Sequence, residues 1–64
     1  MNLIDGINSE LTRARELLKL YEGIPTGGFG ASVVRQAIKN AEMSIAHGDT
    51  VGMLGAYKAL RALK

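Results

Sequence analysis

Between two segments of helical periodicity the chain carries Ile24-Pro25-Thr26-Gly27-Gly28-Phe29-Gly30-Ala31-Ser32, and this stretch most restricts what it can fold into. Three of the eight glycines lie in it, with the only proline and the only phenylalanine. Proline removes a backbone donor and forbids a continuous helix, while glycine admits φ > 0 and close approach to the main chain. The chain must therefore turn here. A plain helix-to-helix connection needs less specialised chemistry than this, since two to eight ordinary residues suffice. The bend is therefore also the first place to look for a site.

The flanking segments predict three helices. Ile4, Ile7, Leu11, Ala14, Leu18 and Tyr21 recur at 3-4-3-4-3 spacing, one apolar stripe of a helix over about residues 2–22, widened by Leu17 and Leu20. Asn2 is its expected N-cap, with Asp5 favourable at the positive end of the helix dipole. Its expected stop is Gly23 in the left-handed C′ position, Ile24 as the apolar residue after it, then Pro25. A second helix is expected over about Ala31–His47, with the stripe Val34, Ile38, Ala41 and Ile45. Gly48 ends it, and Asp49 or Thr50 caps a third over about Thr50–Leu63. The last two form a tight αα-hairpin. Met53, Tyr57, Leu60 and Leu63 make the apolar face of the third helix. Gly52, Gly55, Ala59 and Ala62 make a ridge of nearly bare backbone beside it. Each interior glycine costs roughly 1 kcal/mol against alanine, which calls for a return in close helix packing. The fold class is all-α.

A chain of 64 residues buries only about 60% of its unfolded surface, so a lone core is marginal, and it has no cysteine for disulfides or zinc. Chains of this kind need very regular helix packing or a partner subunit. A homo-oligomer is expected, with Leu11, Leu18, Gly52, Gly55, Ala59 and Ala62 at the interface. The net charge of +2, from eight basic and six acidic residues interspersed, argues against a nucleic-acid clamp. Arg13, Arg15 and Lys19, diluted by Glu10, Glu16 and Glu22, and Lys58, Arg61 and Lys64 read as solvated faces. No apolar run approaches a membrane span, and the N-terminus has no basic leader, so a cytoplasmic location is expected.

The bend supplies the candidate ligand site. Gly27, Gly28 and Gly30 offer approachable N–H groups, Thr26 and Ser32 offer hydroxyls, and Arg35 lies about one turn into the following helix with Lys39 at i+4. Phe29 or Tyr21 would stack on a ring. The alternative role of the bend is a structured turn with Phe29 plugging the core. The pattern lacks the lysine of a phosphate-binding loop and follows no strand, so neither nucleotide fingerprint applies. His47 is expected to interact with the negative end of the second helix. No nucleophile–base pair, carboxylate pair or metal set is legible, so a non-enzymatic protein without metal or cofactor is expected.

Ala46-His47-Gly48-Asp49, followed by Tyr57 and Leu60, resembles the middle of a tetratricopeptide repeat. It spans about a third of the chain, with Met53 at the usual alanine and no second copy, where stacking needs at least ~3 repeats; it is taken as convergent hairpin chemistry. The whole chain, from Arg13-Ala14-Arg15-Glu16-Leu17-Leu18 through Ile24-Pro25-Thr26-Gly27-Gly28-Phe29-Gly30 to Ile45-Ala46-His47-Gly48-Asp49, resembles small helical accessory proteins of tailed phages and prophages. That resemblance implies an accessory role in a host cell, by binding. The leading expectation is sequestration of a small anionic ligand, of the class of a nucleotide immune signal, at the bend. The alternative is an inhibitor or adaptor that engages a host protein through apolar helix faces.

Overall fold

The computed structural model describes residues 2–64 as three α-helices: α1 (Leu3–Glu22), α2 (Gly28–Ala46) and α3 (Thr50–Ala62). Each helix packs on both others, so a single core runs between them. It is built from Ile7, Leu11 and Ala14 of α1, Val34, Ile38 and Ala41 of α2, and Met53, Ala56 and Leu60 of α3. All but Ala56 lie on the expected stripes; on α3, Ala56 enters the core, while the expected Tyr57 and Leu63 are only partly buried against it. Ile4 and Leu20, at or beside the two ends of the α1 stripe, remain exposed.

The caps fix the helix starts. The Asn2 side chain accepts from the Asp5 N–H at 2.8 Å, and that of Asp49 accepts from the Gly52 N–H at 3.0 Å. Gly48 takes φ +66°, the conformation that lets α2 turn straight into α3. Arg13 closes the far end of α3: its guanidinium donates to the Leu60 and Leu63 carbonyls while also meeting Glu10.

Two expectations about the α1–α2 turn need correction. Gly23 ends α1 in the right-handed region, with φ −79° and ψ −7°, and the left-handed C′ motif is absent. The chain instead makes a β-turn in which the Gly27 N–H donates to the Ile24 carbonyl at 2.9 Å. Pro25 then occupies the second turn position, where its fixed φ is an advantage. Because the turn is so short, α2 begins at Gly28, three residues before the expected Ala31.

Candidate functional site

The bend is organised around Tyr21. Its hydroxyl donates to the Lys64 carbonyl at 2.6 Å, fastening the end of α1 to the C-terminal end of α3. A Cβ on Gly30 would lie 2.7 Å from the Tyr21 ring, and one on Gly27 would strike the Tyr21 carbonyl oxygen. Two of the three glycines are thus accounted for by packing within the chain. Gly28 is not: nothing lies within 4 Å of the space a Cβ would take. None of the three has positive φ.

The other ligand candidates do not converge. Tyr21 is spent on the Lys64 carbonyl, and the Gly27 N–H on the turn. Thr26 and Ser32 are exposed. With α2 beginning at Gly28, Arg35 stands two turns from its N-terminus, and it pairs with Glu22 of α1 at 3.2 Å. Lys39 is a turn farther on. Phe29 does not plug the core; it is 85% exposed. What remains open is the first turn of α2. Gly27 provides no side-chain cap there and the turn holds no acid, so the N–H groups of Gly28, Phe29 and Gly30 meet no side-chain acceptor.

Of the expected interface residues, Leu11 is 2% exposed and belongs to the core of the single chain, and Leu18 packs partly against that core. Neither is free for a partner, because the stripe they share with Ile7 and Ala14 is used up by α2 and α3. Gly52 is also taken: a Cβ there would meet the capping Asp49 carboxylate at 2.5 Å and Ser44 at 3.3 Å. Gly55 faces empty space, and Ala59 and Ala62 are exposed.

Gly52, Gly55 and Ala59, but not Ala62, line a groove between α2 and α3, about 400 Å³ in volume. Ala37, Asn40, Met43, Ser44 and His47 form one wall, and Gly52, Gly55, Ala56 and Ala59 the other. No lysine, arginine or glutamate lines it. Its one carboxylate, Asp49, is engaged by the Gly52 N–H. The ion pairs lie on the other side. Arg15 pairs with Glu42 and Arg35 with Glu22, both between α1 and α2, and Lys19 pairs with Glu16 along α1. Four of the eight basic side chains are thus matched to acids on the side away from the groove.

Beyond the groove toward the start of α2 lie Val33 and Phe29. Phe29, Val33, Ala37, Asn40, Ser44 and His47 follow 4-4-3-4-3 spacing, a second stripe of α2 beside its core stripe. Sequence reasoning missed it because four of its six members are small or polar; the spacing itself was readable. Its lower part sinks against α3, where Ser44 is buried and its hydroxyl donates to the Ala41 carbonyl. Its upper part, Phe29 and Val33, stands in solvent.

Among the described residues no group of three or more His, Asp or Glu could hold a metal ion, and no helix is long and apolar enough to cross a membrane. Comparison with protein-family models, with curated proteins and with solved structures returns no match.

Proposed function

We propose that this chain is a non-catalytic interaction module that works through the α2–α3 face. The observation that carries the reading is the segregation of charge. A face holding a groove of about 400 Å³, with Phe29 85% exposed near one end, has no lysine, arginine or glutamate along the groove. Depletion of charge together with an exposed aromatic anchor is the compositional mark of the centre of a protein interface. The resemblance to accessory proteins of tailed phages fits a role of this kind, an inhibitor or adaptor acting by contact. A photo-activatable cross-linking residue in place of Ala59 tests it, with Lys19 as the control position. The proposal expects protein adducts from position 59 and not from 19 when the chain is expressed in cells. Equal labelling at both positions, or none, would refute it.

Sequestration of a small anion is the second reading, and the uncapped first turn of α2 is the observation in its favour. Free N–H groups at a helix start attract anions, and the Phe29 ring stands beside them for stacking. Titration with inorganic phosphate and with mono- and dinucleotides, followed by amide NMR, is the test. Saturable shifts confined to Gly28, Phe29 and Gly30 would support this reading, and a uniform absence of shifts would remove it.

A further inference from the structure

We infer that the occupant of the α2–α3 face is a second copy of this chain, related by a two-fold axis, with Phe29 of each copy seated in the groove of the other. This rests on the reading of that face as an interaction surface and names its partner. Three observations carry it.

The first is self-complementarity. The groove runs along α2 from Ala37 to His47, and Phe29 stands on the same stripe beyond its end. Phe29 and His47 are 18 residues apart, five full turns, so they share an azimuth at a separation of about 27 Å. A two-fold axis lying in the plane of the face, perpendicular to α2 at the level of Ile38, turns one face onto the other and exchanges these two ends. It carries each Phe29 onto the partner's groove where Gly52 and Gly55 meet His47 and Met43. A two-fold interface needs a single patch that holds both a projection and its recess, and this patch holds both.

The second is area. The molecule measures 36 × 19 × 16 Å, and its long face offers on the order of 600 Å² a side. Two such faces together clear the roughly 1,000 Å² that a specific interface requires. A folded monomer of this mass exposes about 3,950 Å², whereas this chain exposes 4310 Å². Its radius of gyration is 11.7 Å, against about 10.7 Å for a compact chain of its length. The single chain thus exposes more surface than a compact monomer of its size.

The third is electrostatic. The groove is lined by no lysine or arginine, and its one carboxylate is engaged as the cap of α3, so two copies brought together set no lysine, arginine or glutamate of one groove lining against that of the other. A partner with a strongly charged surface would have to desolvate those charges against a wall that offers no counter-charge.

Sedimentation equilibrium of the purified chain over about 1–500 μM tests the inference, with two variants that leave the single chain intact. Phe29→Asp puts an acid in the first turn of α2, where the helix dipole favours it. Gly55→Leu adds a better helix former where nothing lies within 4 Å. The expected result is a monomer–dimer equilibrium for the wild type and a dissociation constant raised about a hundredfold or more in each variant. Leu20→Asp, on the exposed end of α1, should associate as the wild type does. A wild type monomeric throughout, an assembly that grows past the dimer, or variants that dimerise unchanged would each overturn the inference. If the wild type is monomeric yet Ala59 still cross-links to other proteins in cells, the second copy is excluded and the interaction face stands. If both fail, the interaction reading falls with it.

Discussion

Tyr21 shows how one side chain dictates the residues around it. The ring needs a bare backbone at Gly30, its carbonyl needs one at Gly27, and its hydroxyl needs the Lys64 carbonyl. Gly30→Ala should therefore destabilise the chain by about 1–3 kcal/mol, the usual cost of overpacking, because the new methyl lies 2.7 Å from the ring. Gly28→Ala, two residues away in the same helical turn, should instead stabilise it by up to about 1 kcal/mol, since its Cβ meets nothing. Urea unfolding of the two variants checks both signs. Destabilisation by Gly28→Ala would mean that the first turn of α2 needs its bare glycine for something the isolated chain does not contain. The density of glycine at the bend was legible in the sequence, but its cause was not. Gly27 and Gly30 answer to a tyrosine six and nine positions earlier, and no local pattern records that pairing. The core stripes were readable because burial repeats with the helix; Leu11 was misassigned because the same periodicity marks an inner face and an interface alike.

At the scale of the helices, caps and turns decide the boundaries. Asp49 starts α3 immediately after the left-handed Gly48, which makes the hairpin tight. Asp49→Ala should cost about 0.5–2 kcal/mol of stability, measured by thermal or urea unfolding. It also removes the only carboxylate lining the groove, so it should leave dimerisation intact or strengthen it. Tyr21→Phe should cost about 0.5–1.5 kcal/mol, the net worth of one hydrogen bond, and loosen the C-terminal end of α3. Faster amide exchange at Leu60–Leu63 with α1 unaffected is the expected signature; unchanged exchange would show that Arg13 alone holds that end. Asn2 and Gly48 could be placed from sequence, and the cap of α3 narrowed to Asp49 or Thr50, because each acts on its own neighbours. The stop at Gly23 could not, because Pro25 permits either a left-handed cap or the β-turn that forms, and the fit of α2 against Tyr21 chooses between them.

For the whole molecule, one fact governs the rest: three helices of 20, 19 and 13 residues enclose a core of nine buried side chains and leave open a groove that no lysine, arginine or glutamate lines. The proposed working surface is the α2–α3 face and not the bend. Isotope-filtered NMR on an equimolar mixture of labelled and unlabelled chains tests this most directly, because it registers only contacts between copies. The predicted result is a set of intermolecular nuclear Overhauser effects from the Phe29 ring to the Hα protons of Gly52 and Gly55 and to the Met43 methyl. Intermolecular effects confined to Leu20, Ile24 or Ile4, or none at millimolar concentration, would contradict it.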